Sequence, residues 1–386
     1  MTTTTLQSTQ HQSEYTAGSD ATGSFIRKLA RRFQFSPRAK TQSKRVFEPL
    51  PQPSQERLDN SLSDGPIDAN KLVSTDRSVL QEKQKTVLYL AYGSNLCNET
   101  FRGVRGIRPL SQVNVVVPSL RLTFDLAGIP YAEPCFANSA RRRPDSPPRA
   151  ASDYHKDRWH KGLVGVVYEV TLSDYAHIIA TEGGGSAYHD ILIDCHVLSK
   201  TDTVPAIPTS KPFKAHTLFA PVENDDGTAR SSERNARPDP SYAQPSARYL
   251  KLITDGATEC ELPAEYQDYL HDIRPYTITT KKQTMGKFLF LSIWLPIIIA
   301  IFTLARRLSD DKGRSPKWLA ALSAAVFRGM WICYDGVFKP TFGDGERTVG
   351  DGAVVNSALK EVSARDMEKE CLLEDYVDSL DVQAGE

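Results

Sequence analysis

Hydrophobic and polar positions form short regular runs only in the middle of this 386-residue chain. Helical periodicity occupies residues 173–181, 246–254 and 263–273, and Gly256 is expected to end the second of these helices. Apolar or alternating runs typical of strands fill the stretches 86–92, 113–117, 121–126, 162–170, 189–197 and 214–220. Because strands dominate, the pattern predicts an α+β domain over residues 85–278, with a closed or nearly closed mixed sheet and peripheral helices.

Polar segments precede and interrupt this domain. Residues 1–84 are rich in Ser, Thr, Gln and Pro, which predicts a disordered tail. Within it, residues 25–35 mix basic and apolar side chains, a pattern that fits an anionic membrane surface or a transit element as well as a solvated basic tail. Residues 138–161 and 221–245 lack apolar periodicity, so we predict two surface insertions that leave the core intact.

A long apolar run follows the domain. Residues 288–304 carry no charge over 17 positions, with lysines before and arginines after them. A spanning helix needs about 20 apolar residues, so we predict a transmembrane helix over residues 285–305. A buried core helix is the alternative, but such a helix rarely lacks a polar face. The rest, 306–386, is predicted to be a polar tail with an amphipathic segment at 318–338, which carries Arg328 and Asp335.

Composition narrows the class of protein further. Lys plus Arg and Asp plus Glu both number 47, so the net charge is zero and gives no indication of nucleic-acid binding. Six scattered cysteines without a CxxC motif argue against a zinc site or a disulfide scaffold and fit a reducing compartment. Residues 1–24 lack the apolar region of a signal peptide. We therefore expect a single-pass membrane protein whose domain over residues 85–278 faces the cytosol.

A polar turn after the first predicted strand is the first candidate for chemistry. Its sequence, Tyr-Gly-Ser-Asn-Leu at residues 92–96, contains a glycine and two side-chain donors. A strand that ends in such a turn can direct several backbone N–H groups at a carboxylate or phosphate. Gly-Ser-Asn is also common in ordinary turns, so this motif alone leaves both interpretations open.

Glu182 is the second candidate. It ends the helical pattern 173–181 and precedes three glycines, Gly183 to Gly185. The negative end of a helix dipole, together with burial, would raise the pKa of its carboxyl group toward neutrality, as a general acid/base requires. A surface glutamate beside a flexible loop is the alternative.

Five blocks in a fixed order resemble the γ-glutamylcyclotransferase family. They are residues 92–96, residues 162–169 (Gly-Leu-Val-Gly-Val-Val-Tyr-Glu), Glu182-Gly183 with Tyr188, residues 245–249 (Pro-Ser-Ala-Arg-Tyr) and residues 262–266 (Leu-Pro-Ala-Glu-Tyr). The two predicted insertions fall between the blocks. The resemblance covers about half of the chain and is typical of a fungal member with an added C-terminal membrane segment.

The resemblance implies a small mixed β-barrel and a reaction that needs no metal or organic cofactor. Members cyclise the γ-glutamyl group of a small-molecule substrate to 5-oxoproline and release the amine. Glu182 would be the general acid/base. The residues implied in substrate binding are Tyr92, Gly93, Ser94, Asn95, Leu96 and, less directly, Tyr249.

Some positions depart from the family pattern, and other functions stay open. His216 and Phe219 lie where relatives often have a tyrosine, which leaves that wall of the pocket uncertain. Asn95 favours general γ-glutamyl substrates over the branch specific for glutathione. Alternatives are γ-glutamylamines or glutathione adducts as substrates, or a catalytically silent binding module tethered to the membrane.

Overall fold

A computed structural model describes residues 47–68, 72, 85–142, 154–181, 189–220, 237, 239, 241–308 and 316–349. Within them, seven strands form two sheets. The strands are β1 (Thr86–Ala91), β2 (Ser111–Val117), β3 (Leu120–Ile129), β4 (Glu133–Arg141), β5 (Leu163–Thr171), β6 (His189–Val197) and β7 (Pro212–Phe219).

Five of these strands close into a barrel in the order β1-β5-β2-β6-β7. Neighbouring strands are antiparallel except at the closure, where β1 runs parallel to β7 and Tyr89 pairs with His216. β5 lies between β1 and β2, and seven of its nine residues are buried because side chains cover both of its faces. The mixed α and β composition predicted from the sequence is confirmed.

β3 and β4 form a separate two-stranded hairpin beside the barrel. Only part of β3 was predicted, and β4 was missed because its C-terminal half was assigned to the insertion 138–161. That assignment is wrong at both ends. Asn138 is 1% exposed and donates to Asp125 and to the Ala220 carbonyl, and Lys156 is 3% exposed. Residues 143–153 lie outside the described part of the chain.

Seven α-helices surround the sheets in the described ranges. They are α1 (Gln55–Asn60), α2 (Leu172–Thr181), α3 (Ala247–Glu259), α4 (Ala264–Asp272), α5 (Lys281–Leu308), α6 (Lys317–Cys333) and α7 (Lys339–Phe342). Short turns of 3-10 helix lie at Ser61–Ser63 and Ser94–Leu96, and π-helical turns lie at Glu99–Val104 and Tyr334–Phe338. The expectation that Gly256 ends a helix is wrong, because it lies inside α3.

The predicted disordered tail over residues 1–84 is wrong for residues 47–68, which pack on the barrel. Leu58 of α1 is buried in the main core. Arg57 donates to the Thr86 hydroxyl at 3.0 Å and to the Thr86 carbonyl at 3.1 Å. These contacts join the segment to the start of β1, and they depend on tertiary partners that its polar composition does not reveal. Residues 25–35 lie outside the described part.

The helices α5 and α6, here called the C-terminal hairpin, form a second apolar cluster with the tip of the β3–β4 hairpin. Its buried members include Tyr131, Phe290, Trp331 and Tyr334. One helix segment, Lys281–Ala305, is long and apolar enough to cross a membrane, with a mean hydropathy of 2.5 over its most apolar window. Only 17% of that window is buried within the protein.

The predicted insertion 221–245 and the predicted polar tail 306–386 also need correction, because the described end of the first and part of the second pack against the domain. Gln244, assigned to the insertion 221–245, is fully buried, and its N–H donates to the Glu346 carbonyl at 2.9 Å. Glu346, assigned to the polar tail 306–386, is 1% exposed. Backbone hydrogen bonds and the ion pair between Arg237 and Glu346 therefore hold residues 343–349 against the domain. Residues 221–236 and 350–386 lie outside the described part.

Candidate active site

A pocket opens where β1 ends, between the barrel, the hairpin strand β4 and helix α3. It contains about 390 Å³ of empty space, a figure that includes open solvent at its mouth. The residues that line it are Tyr89, Tyr92, Gly93, Ser94, Asn95, Ala137, Thr217, Leu218 and Tyr249. Five of the sequence-predicted binding residues, Tyr92, Gly93, Ser94, Asn95 and Tyr249, are therefore brought together around one cavity.

The turn after β1 forms the floor of this pocket. The N–H of Leu96 donates to the Gly93 carbonyl at 3.0 Å, and that of Cys97 donates to the Ser94 carbonyl at 3.1 Å. Asn95 is 4% exposed, and its Nδ2 donates to the Tyr89 hydroxyl at 2.9 Å. Leu96 is fully buried beneath the turn and does not line the cavity, so it supports the turn by packing.

Tyr249 forms the opposite wall. Ser246 caps α3 by accepting the Tyr249 N–H at 3.0 Å, which fixes this residue in the first turn of the helix. The Tyr249 hydroxyl accepts the Ala137 N–H of β4 at 3.2 Å. A Cβ placed on Gly93 would lie 3.5 Å from that hydroxyl and 3.6 Å from the Ala137 Cβ. A side chain at position 93 would therefore point into the pocket and occupy it.

Helix α3 touches the turn at Gly256. A Cβ there would lie 2.4 Å from the Leu96 carbonyl carbon and 2.5 Å from the Cys97 nitrogen, distances that no real side chain adopts. Only glycine permits this approach. The same helix thus carries Tyr249 at its start and supports the Ser94–Leu96 turn near its end, which couples the two walls of the pocket.

Strand β7 supplies the third wall through Thr217 and Leu218. The Tyr92 hydroxyl donates to the Leu218 carbonyl at 3.3 Å, and the Thr217 hydroxyl donates to the Leu90 carbonyl at 3.2 Å. Neither His216 nor Phe219, the two positions that left this wall uncertain in the sequence, lines the pocket.

His216 belongs instead to a buried polar cluster behind the pocket. Its Nδ1 lies 2.9 Å from Asp190 Oδ2, and the Tyr175 hydroxyl donates to Asp190 Oδ1. Burial beside the Asp190 carboxylate raises the pKa of Tyr175 well above its ordinary value, so this phenol stays protonated. Tyr175 packs on Tyr89 with ring centroids 5.9 Å apart, which connects the cluster to the pocket wall.

The described lining of the pocket is uncharged. Glu182 and Tyr188 lie outside the described residues; α2 ends at Thr181, immediately before Glu182. A buried acid, Asp125 on β3, lies close by along the chain contacts, because its partner Asn138 adjoins the lining residue Ala137. Burial raises the pKa of the Asp125 carboxyl above its ordinary value.

Four lining residues were missed by sequence reasoning: Tyr89, Ala137, Thr217 and Leu218. Alternation in β1 gives a signal for Tyr89, because it lies on one face of a strand that leads into the turn. Ala137 belongs to the strand that was not predicted. Within the described ranges, no group of three or more His, Cys, Asp or Glu side chains is placed to hold a metal ion.

Curated relatives cover most of this chain and almost all of their own length. A protein named gamma-glutamyl cyclotransferase gliK from Aspergillus fumigatus is 32% identical over 272 residues, which are 70% of this chain and 93% of that protein. The chain belongs to the γ-glutamylcyclotransferase family. A second relative, gamma-glutamyl cyclotransferase aclK from Aspergillus oryzae, is 31% identical and covers 69% of this chain and 92% of its own.

As a member of the γ-glutamylcyclotransferase family this chain is an enzyme. Its similarity to known proteins also extends beyond the barrel. A family model described as the AclK C-terminal domain matches residues 280–341, which contain the C-terminal hairpin. Among solved structures, one titled gamma-glutamyl cyclotransferase is 22% identical with a TM-score of 0.34, covering 51% of this chain and 93% of that chain. A score this low establishes no detailed structural correspondence.

Proposed function

We propose that this cyclotransferase converts the γ-glutamyl group of γ-glutamyl amino acids or peptides to 5-oxoproline and releases the amine. The observation that carries the proposal is the single pocket shared by the Tyr92–Asn95 turn and Tyr249. Those residues are far apart in the sequence, and the family resemblance assigns all of them to the substrate. Because these residues line one pocket, we propose that they bind one ligand, the γ-glutamyl substrate.

The glutamyl end is proposed to bind against the turn. Its carboxylate is an anion, and the turn offers N–H groups together with the Ser94 hydroxyl. The described lining has no acidic side chain that would repel this anion. The hydroxyls of Tyr89 and Tyr249, which accept the Asn95 and Ala137 N–H groups, also line the cavity, and hydroxyl dipoles held in place in this way can stabilise the oxyanion that develops on the γ-carbonyl.

Glu182 is proposed to move the proton. It takes one from the α-ammonium group, and the freed amine attacks the γ-carbonyl carbon to form the ring C–N bond. Glu182 returns this proton to the departing nitrogen as its bond to carbon breaks, and the second proton that the ring nitrogen loses also passes to the released amine, which leaves as an ammonium ion. No water is consumed, and both reacting groups belong to one molecule, so positioning supplies much of the rate enhancement.

The open mouth supports breadth in the leaving group. The pocket opens to solvent at its mouth, so the released amine would project out of it. This arrangement accommodates amino acids and peptides, and it is also compatible with γ-glutamylamines and glutathione adducts. A panel of these substrates at matched concentrations discriminates among them through kcat/KM.

We further propose that the C-terminal hairpin associates with a membrane, with the catalytic domain facing the cytosol. The observation behind this is the exposed apolar surface of α5, including Phe288 at 70% and Phe302 at 57% exposed. Exposed apolar surface of this extent is costly in water and is typical of a lipid or protein interface.

The test is 5-oxoproline release by the full chain beside the isosteric variant Glu182→Gln. The variant keeps the side-chain shape but cannot accept the α-ammonium proton, so we expect kcat to fall by at least about 10²-fold, the usual contribution of general acid–base catalysis. Glu56→Gln on the exposed face of α1 is the matched control and should keep full activity. Equal rates in the wild type and Glu182→Gln would exclude the proposed role of Glu182.

A further inference from the structure

The two ends of the C-terminal hairpin lie side by side on the catalytic domain. Ahead of α5, the Thr277 N–H donates to the Thr348 hydroxyl at 2.9 Å, and the Thr279 hydroxyl donates to the Val349 carbonyl at 2.9 Å. The Tyr276 hydroxyl donates to the Asp344 carbonyl at 3.2 Å. The chain therefore leaves the domain and returns to it at one place.

Between these ends, α5 and α6 run antiparallel. Near the domain, Phe290 of α5 packs edge-on against Phe338 with ring centroids 5.0 Å apart. Farther out, Phe302 of α5 lies against Phe327 of α6 at 6.4 Å. Residue numbers thus rise along one helix as they fall along the other, which is the arrangement of a helical hairpin.

The returning segment is fixed by buried charges. Arg237 donates through Nη2 to Glu346 Oε2 at 2.8 Å and to Asp335 Oδ1 at 2.8 Å, and its guanidinium lies 4.0 Å from the centre of the Trp331 ring. The Tyr131 hydroxyl donates to the Gly343 carbonyl at 2.7 Å. Because removing one partner of such a buried pair is strongly destabilising, the return path is a firm part of the fold.

The outward surface of both helices is apolar. On α5 the exposed large apolar side chains include Phe288, Leu289, Ile293, Ile297 and Phe302, and on α6 they include Trp318, Leu322 and Ile332. A charge-free run of 17 residues in α5 extends about 26 Å as a helix, close to the roughly 30 Å thickness of the hydrocarbon core of a bilayer. Lipid matches this surface in both chemistry and length.

Charges lie where a bilayer tolerates them. Lys281, Lys282 and Lys287 occupy the end of α5 nearest the domain, and Arg306 and Arg307 follow the charge-free run at its other end, so both groups lie at the level of head groups rather than in the hydrocarbon core. Arg328 is the one charged residue in the interior of α6. Its neighbour Gly329 lies opposite Trp294, about 9 Å along α5 from Phe288, so the long arginine side chain can reach back to the interface.

We infer that the C-terminal hairpin inserts into a lipid bilayer from one face, with both of its ends on the side of the catalytic domain. This inference rests on the proposed membrane association and replaces the single-pass topology expected from the sequence. A single span would carry residues 343–349 about 26 Å away, to the opposite side from residues 276–279. The hydrogen bonds between those two segments forbid that separation.

The test maps the two termini of the full chain. An epitope tag before Met1 and another after Glu386 are followed by protease digestion of sealed membrane vesicles from yeast cells, with and without detergent. Residues 350–386 contain no apolar run that could cross a bilayer, so the second tag reports the side on which residue 349 lies. Carbonate extraction of the same vesicles reports insertion.

The expected result is that the chain resists carbonate extraction and that both tags share one fate, digested together or protected together until detergent is added. Opposite fates for the two tags would restore a single span and overturn the inference. Recovery of the protein in the soluble fraction, as a monomer or as a dimer with its apolar faces joined, would show that lipid does not cover the apolar surface of the C-terminal hairpin. Measuring 5-oxoproline release by the same vesicles separates a failure of topology from a failure of the proposed reaction.

Discussion

Replacing Gly256 with alanine tests whether helix α3 and the Ser94–Leu96 turn act as one unit. The added Cβ would lie 2.4 Å from the Leu96 carbonyl carbon. Carbon atoms pack best at about 3.5–4.0 Å, so the helix and the turn must separate by more than about 1 Å. The obstructing atoms are backbone, so no rotation of a side chain can relieve the contact.

Two magnitudes decide how this change should appear. Overpacking costs about 1–3 kcal/mol, while alanine gains about 1 kcal/mol over glycine inside a helix. The net loss of unfolding free energy is then about 0–2 kcal/mol, which leaves a domain of ordinary stability folded at 25 °C. A misplacement of about 1 Å at a catalytic site costs about 10²-fold in rate. Activity should therefore fall far more than stability.

The assay measures kcat/KM for 5-oxoproline release and the midpoint of thermal unfolding on the same preparations. Gly329→Ala in α6 is the matched control, because its Cβ would lie 3.8 Å from the Trp294 ring, an ordinary contact. We expect that control to keep wild-type kcat/KM. If Gly256→Ala keeps kcat/KM within twofold, the coupling of the helix to the turn is refuted, whatever happens to the melting temperature.

Three further predictions follow from particular contacts. Tyr89→Phe removes the acceptor of the Asn95 side-chain bond, so we expect kcat/KM to fall about fivefold, the equivalent of about 1 kcal/mol, in steady-state kinetics; unchanged kinetics would contradict this. Burial raises the pKa of the Asp125 carboxyl, so above about pH 4 the unfolded state releases a proton that the folded state keeps, and the free energy of unfolding falls as pH rises toward the folded pKa. The side chain of Asp125→Asn does not titrate, so the free energy of unfolding of this variant in urea should gain on that of the wild type as pH rises from about 4 toward neutrality, and a constant difference would refute the prediction. Ile293→Asp should release the protein from membranes in flotation assays, whereas Ile207→Asp, at an exposed apolar position of the catalytic domain, should not; equal behaviour would exclude the hairpin as the attachment.

Elements whose burial follows a local period were predictable. The run 189–197 matches β6 at both ends, and the run 86–92 differs from β1 by one residue. β4 was not predictable by the same rule, because the polar residues Asn138 and Ser139 are buried within it. Asn138 is satisfied by Asp125 and the Ala220 carbonyl, partners that exist only in the folded chain.

Segments stabilised by distant partners were also misjudged. Residues 47–68 have few apolar side chains, yet the N–H of Gln112 in β2 donates to the Pro51 carbonyl at 2.9 Å, and Leu58 enters the core. Glu346 was assigned to the polar tail 306–386, but it is buried in an ion pair with Arg237. Composition predicts disorder when a segment cannot bury enough surface by itself, and here the domain supplies the missing partners.

The residues of the candidate site likewise include some that the sequence predicted and some that it did not. The motif at residues 92–96 and the resemblance around Tyr249 identified most of the turn and one wall. Thr217 was missed because it enters the pocket only through closure of the barrel, where β7 meets β1. The role of Gly256 was misread, because a glycine near a predicted helix end and a glycine at a close helix–turn contact look alike in sequence.

Isotope-labelled turnover by the full chain tests the central claim most directly. The substrate is a γ-glutamyl dipeptide carrying ¹⁵N at its α-amine, and the solvent is water enriched in ¹⁸O. Intramolecular cyclisation predicts 5-oxoproline that retains ¹⁵N, contains no ¹⁸O and forms in equal amount with the released amine. Glutamate carrying ¹⁸O as the product would show hydrolysis by water and contradict the account.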